Sequence, residues 1–117
     1  MKNFLLLLLL FSFLILPVMA EDWTLIPNTN IFYDKDSIEY DNFGIVRVFT
    51  KTPADNRYET RPKITINCNT QQFKIFETKL YDTYKQKYTY REFTNSNWEN
   101  IPQNSNMKYL YNDVCHN

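Results

Sequence analysis

The chain contains only two cysteines, Cys68 and Cys115, and their surroundings constrain the fold more than any other feature. Cys68 ends the segment Lys63–Cys68, in which Ile64, Ile66 and Cys68 alternate with polar residues. That period of two predicts a strand with one apolar face, and it turns Cys68 toward the core. Cys115 follows Met107, Leu110, Tyr111 and Val114, which fall at i, i+3, i+4 and i+7. This is the stripe of an amphipathic helix, capped at its start by Ser105 or Asn104 and running to Val114 or Cys115. A disulfide between the two thiols would staple a C-terminal helix to the sheet across a separation of 47 residues. Loop-closure entropy then contributes about 4 kcal/mol. Two free thiols or an intermolecular bridge are the competing arrangements, and an oxidising compartment disfavours the free thiols.

The compartment is read from the first 20 residues. Lys2 precedes an apolar run from Phe4 to Leu16, Pro17 breaks it, and Val18-Met19-Ala20 suits a cleavage site. The pattern predicts a secretory signal peptide cut before Glu21, leaving a single domain over residues 21–117. Read instead as an uncleaved anchor, Phe4–Ala20 is at the short limit for a membrane span. No cysteine lies near the cut, so the mature chain is expected to be periplasmic, secreted or at the cell surface without a lipid anchor. It would have no transmembrane span. No Asn-x-Ser/Thr sequon occurs among fourteen asparagines, so nothing points to a glycosylated eukaryotic ectodomain.

Between the leader and the helix the signals are those of strands. Trp23–Ile26 and Ile31–Tyr33 flank a Pro27–Asn30 turn, and a polar turn over Asp34–Ser37 leads into Ile38–Tyr40. Asp41-Asn42-Phe43-Gly44 is a hairpin turn, because Gly44 adopts positive φ without steric cost. It opens Ile45–Lys51, with Val46, Val48 and Thr50 on one face and Ile45, Arg47 and Phe49 on the other. Residues 52–62, bounded by Pro53 and Pro62, read as a polar loop. Strands are expected again at Lys63–Cys68, Phe73–Tyr81 and Lys87–Phe93. The class is therefore α+β, an antiparallel sheet of about six strands with one C-terminal helix.

Particular words reinforce this architecture: Trp23, Phe32-Tyr33-Asp34 with Ser37-Ile38, and Gly44 followed by Val46-Arg47-Val48-Phe49. Further along come Cys68, Trp98-Glu99-Asn100-Ile101-Pro102, and Ser105 leading to Tyr109-Leu110-Tyr111-Asn112-Asp113-Val114-Cys115. In order and spacing the chain resembles the surface-adhesin protein E family of small exported proteins of Gram-negative bacteria. The resemblance implies a six-stranded sheet whose concave face carries a disulfide-bonded C-terminal helix. It also implies a homodimer that binds host extracellular-matrix and plasma proteins, including vitronectin and laminin. Two residues depart from the family pattern. The leader has no lipidation cysteine, and Asn104 replaces the glycine of a Pro-x-Gly-Ser ending. No binding residue transfers.

The residues that would carry chemistry are scarce. Gly44 is the only glycine, which excludes glycine-rich phosphate loops, and His116 is the only histidine, which disfavours His-dependent triads and metal sites. Asp34, Asp36 and Glu39 fail the calcium-loop pattern, because Glu39 and Ile45 occupy the Gly and Glu positions. Cys68 and Cys115 lack redox spacing. Glu77 and Glu92 could meet across neighbouring strands in the manner of a glycosidase pair. Their Lys and Arg neighbours favour exposed cross-strand ion pairs instead. No enzyme, metal or cofactor is expected.

With Lys2 removed, 12 basic and 13 acidic residues remain, which argues against nucleic acid as a partner. Residues 57–91, however, hold eight basic and three acidic groups. Within them Tyr81, Tyr84, Tyr88 and Tyr90 lie among Lys79, Lys85, Lys87 and Arg91. Tyr with cationic groups is an interface composition. Tyr81, Tyr84, Lys85, Lys87, Tyr88, Tyr90 and Arg91 are the candidate partner surface. Alternation of core and solvent positions on a hairpin would produce the same pattern. The expected function is a non-enzymatic, adhesin-like binding protein recognising a host or envelope protein. A periplasmic inhibitor or immunity protein, or a structural accessory of an envelope complex, are the alternatives.

Overall fold

A computed structural model describes residues 21–52, 57–94 and 96–115. The leader expected over residues 1–20, Pro53 and His116 lie outside the described residues. Among the described residues there are eight strands: β1 (Trp23–Leu25), β2 (Phe32–Asp34), β3 (Glu39–Tyr40), β4 (Ile45–Lys51), β5 (Tyr58–Asn67), β6 (Gln72–Asp82), β7 (Lys87–Phe93) and β8 (Glu99–Asn100). One α-helix, α1 (Asn106–Val114), follows them among the described residues, and a short 3-10 helix spans Lys35–Ser37 between β2 and β3. Among the described residues no helix is long and apolar enough to cross a membrane.

All pairings are antiparallel, in the order β1-β2-β4-β5-β6-β7. The expectation of about six strands fits this path, and the segment read at Ile38–Tyr40 forms the short β3, which pairs with β4. β8 is an addition, paired with β6 at Gln72 and Phe73. It has only two residues, too few for a periodic pattern to show.

The second correction concerns residues 52–62. β5 begins at Tyr58 and runs through Pro62, so the loop is shorter than its two prolines suggest. Pro62 is tolerated because the β4–β5 ladder ends at Phe49–Lys63, leaving its missing N–H outside that pairing. The strand from Tyr58 to Pro62 pairs with β6 alone.

The hairpin turn before β4 forms as the sequence predicts. Gly44 has φ of 81°, and the Asp41 carboxylate accepts hydrogen bonds from the Phe43 and Ile45 N–H groups. A Cβ at Gly44 would lie 2.7 Å from the Asn69 amide nitrogen. α1 begins at its Ser105 cap, whose hydroxyl accepts from the Lys108 N–H.

Alternation along β4 places Val46, Val48 and Thr50 inside, and their β5 partners Ile66 and Ile64 are also buried. With Ile26, Tyr33, Ile101, Leu110 and Val114 they form one buried cluster, against which Cys68 and Cys115 pack. The two cysteines are joined in a disulfide. Three tyrosines fasten chain segments around this bond. The Tyr111 hydroxyl donates to the Cys68 carbonyl at 3.1 Å, Tyr40 to the Val114 carbonyl at 3.3 Å, and Tyr33 to Asp113. Burial, followed by the Asp113 hydrogen bond, pushes the Tyr33 phenol well above its ordinary value.

Candidate cationic and aromatic face

The residues of β4, β5, β6 and β7 that point away from the aliphatic cluster are mostly cations and rings. Arg47, Phe49, Arg61, Lys63, Lys79, Tyr81, Tyr88, Arg91 and Phe93 share this face by register. Lys79 and Lys63 approach the Phe49 ring at 4.7 and 4.9 Å, Arg47 lies 4.6 Å from Phe76, and Arg91 lies 4.4 Å from Phe93. Trp23 reaches in from β1, with Lys51 at 4.6 Å and Arg61 at 5.0 Å. The aliphatic stems of Lys and Arg cover the rings, while the ring faces attract the charged heads.

Arg61 is the hub. Its guanidinium lies 3.9 Å from the Tyr81 ring and donates to the Tyr88 hydroxyl at 2.9 Å and to Glu59 at 2.7 Å. Glu21 is 3.6 Å away and also accepts the Trp23 indole N–H. Burial opposes the charge on Arg61, but the Tyr88 and Glu59 hydrogen bonds outweigh it, and its pKa is raised. Burial also raises the Tyr88 pKa, against the opposing effect of Arg61.

Glu77 departs from the expected exposed ion pair. Its side chain is only 2 % exposed, held by Arg91 through two hydrogen bonds of 2.8 and 3.2 Å and approached by Lys79 at 3.7 Å. Nor does it meet Glu92 across the strands. Glu77 opposes Phe93 and Glu92 opposes Thr78, so the two carboxylates project from opposite faces. The parity of the two strands, rather than their adjacency, separates them.

The sequence-derived surface divides in the same way. Tyr81 and Tyr88 are direct partners, their rings 5.1 Å apart and edge-to-face. Arg91 shares their face, beside Lys79. Tyr90 opposes Leu80 and points from the other face, its hydroxyl donating to Glu92. That bond raises the Tyr90 pKa. Tyr84 and Lys85 lie in the β6–β7 turn, and Lys87 opposes Asp82 at its base. Thus Tyr84, Tyr88 and Tyr90 are all exposed, yet they do not form one plane.

Asp82 organises that turn. One carboxylate oxygen accepts the Tyr84 and Lys85 N–H groups, and Arg57 makes a bidentate pair with the same carboxylate. The Arg57 hydrogen bond, aided by the two backbone donors, holds the Asp82 carboxyl down at about 2. Beyond the turn, Lys79, Tyr88, Thr89, Tyr90 and Arg91 line an open depression of about 400 Å³.

Arg61, Glu59 and Trp23 are absent from the sequence-derived surface. Glu59 and Arg61 fall in the segment read as loop; their alternation with Lys63 is the signal that would have placed all three on one strand face. Trp23 is distant in sequence, so no local signal could connect it. Among the described residues no group of three or more His, Cys, Asp or Glu side chains is placed to hold a metal ion. Compared with known protein families, curated proteins and solved structures, the chain matches none.

Proposed function

We propose that this chain is a non-enzymatic exported binding protein, similar in role to the surface-adhesin protein E family, that recognises a protein partner of the host or the envelope. In this reading the C-terminal helix lies on the concave side of the sheet, consistent with Leu110 and Val114 in the buried cluster. The opposite face and the β6–β7 hairpin are left to the partner. The observation that carries the reading is the arrangement of Lys79, Tyr88 and Arg91 around an open depression, beside a strand whose seven residues are all exposed. Tyr and Arg supply contact area and directional hydrogen bonds at interfaces. A scaffold already held by the disulfide and by Asp82 loses little conformational entropy on binding. The division of Glu77 from Glu92 favours binding over glycoside hydrolysis.

Parallel pull-downs from bacterial envelope extract and from serum test this proposal. A protein captured by the wild-type chain and lost with the double variant Tyr88→Ala/Lys79→Ala is the expected result. Equal capture by both chains rejects the face, and capture of nothing from either source rejects the binding role. Fractionation that finds the protein only in the periplasm rejects host adhesion and leaves an envelope partner.

A further inference from the structure

β7 ends the sheet path, and among the described residues it is bonded on one side only, to β6. The Thr94 N–H donates to the Phe76 carbonyl at 3.0 Å, so Thr94 faces inward at the end of this ladder. Antiparallel alternation then turns the backbone groups of Glu92 toward β6 and those of Arg91 and Phe93 away from it. The regular edge stops at Thr89, the extra residue of a bulge, because Tyr90 pairs with Leu80 and Tyr88 with Tyr81. The bulge and the charges of Lys87, Arg91 and Glu92 guard this edge against indiscriminate pairing, while Tyr88, Tyr90 and Phe93 stand exposed along it.

The charges at this edge select what could pair with it. Arg61, Lys79 and Arg91 are direct cross-strand partners on three successive strands, a row of like charges that costs stability. Glu59 and Glu21 offset the inner end, and Glu77 serves both Lys79 and Arg91. Arg91, at the outer end, remains 56 % exposed and has no other carboxylate among the described residues. The next strand position in that row would meet a cation, and the position beside Phe93 would meet a ring.

We propose, building on the binding role above, that an extended acidic segment of the partner protein adds to β7 as a further strand. It hydrogen-bonds the outward backbone groups of Arg91 and Phe93 and sets a carboxylate in line with Arg91. This is strand addition, in which the backbone supplies affinity and alternate side chains supply selectivity. A second copy of this chain is the poorer occupant, because a two-fold pairing centred on Arg91 opposes that cation to itself.

The test uses the full mature chain and three synthetic octapeptides: alternating Glu and Val, alternating Lys and Val, and the Glu peptide with a central proline. The acidic peptide should slow amide exchange at Arg91 and Phe93 about tenfold. The lysine peptide should bind at least about fivefold more weakly, and the proline peptide about tenfold more weakly. Phe93→Pro removes an N–H that β6 does not use, which edge strands tolerate. It should abolish the protection while leaving the melting temperature within a few degrees, roughly that of a surface change. Equal affinity for the lysine peptide, or protection that excludes Arg91 and Phe93, overturns the proposal. Concentration-dependent protection of these amides without peptide assigns the edge to a second copy and also overturns it. Should Phe93→Pro not fold, the exchange data on the wild-type chain decide alone. Repeating the pull-downs with Phe93→Pro separates the two proposals: a partner retained by this variant rejects strand addition only, whereas no partner in any arm rejects the binding role.

Discussion

On one side of β4 and β5 lie Val46, Val48, Ile64 and Ile66; one residue along, on the other side, lie Arg47, Phe49, Lys63 and Thr65. The same two strands therefore build two surfaces of different physics. The aliphatic side excludes water from short branched chains and is locked by a covalent bond between Cys68 and Cys115. The cationic side shields itself. Rings lie beneath Lys and Arg stems, and Glu59 and Glu77 neutralise charge below the surface. The first arrangement gains stability from burial and tolerates no change in shape. The second contributes less per contact; its inner cations Arg61 and Lys63 are largely covered, and Arg91 at the β7 edge keeps its charge available for recognition.

That contrast can be broken at several points, beginning with the largest expected effect. Cys115→Ala should cost about 4 kcal/mol and lower the melting temperature by roughly 20 °C in oxidising buffer. Calorimetry showing an unchanged transition would reject the staple. Leu110→Ala, on the same side, should cost about 2–4 kcal/mol by leaving a cavity, measured by chemical denaturation. Glu77→Gln probes a place where the cationic side is itself structural. It should cost about 1–3 kcal/mol, because a buried acceptor for Arg91 and Lys79 loses its charge. If this loss equals that of Leu110→Ala, the cationic side is as much a folding surface as the aliphatic one.

Acid provides a test of the hairpin. The Asp82 carboxyl titrates at about 2, below its ordinary 3.8, so the folded state favours the ionised form. Its stabilisation is complete above about pH 4 and is lost as the pH falls toward 2. Amide spectra should show the Tyr84 and Lys85 N–H groups changing over that interval, with a midpoint lower than that of the exposed carboxylates. The smallest stability effect is expected for Tyr84→Ala, within about 0.5 kcal/mol, because the ring is exposed in the turn. A larger loss would mean that its contact with Arg57, at 5.4 Å, helps to hold the hairpin.

How much was legible follows from which interactions are local. The Gly44 turn, the Ser105 cap and the alternation of β4 depend on neighbouring residues and were readable from period and turn chemistry. The exposure of all of β7 was not, because alternating core and solvent positions fits the same residues. The pairing of Cys68 with Cys115 was readable because two thiols allow one intramolecular bond. Pro62 concealed the start of β5, since a proline in a strand is acceptable only where its neighbour's ladder has ended, a fact of pairing rather than of sequence.

The candidate site was half legible. Tyr81, Tyr88 and Arg91 were identified from composition, but their sheet face was not, because the bulge at Thr89 shifts the parity of β7. That shift sends Tyr90 to the opposite face and leaves Glu77 and Glu92 apart. Periodicity and turn chemistry specified most of the elements, the disulfide and a basic, tyrosine-rich segment, because these rest on neighbouring residues. Folding in three dimensions was needed to show that Arg61 gathers Trp23, Tyr81 and Tyr88, and that a row of cations ends at an open strand. Those juxtapositions depend on strand register and on the bulge between β6 and β7, and a one-residue change in register would reassign every side chain to the other face.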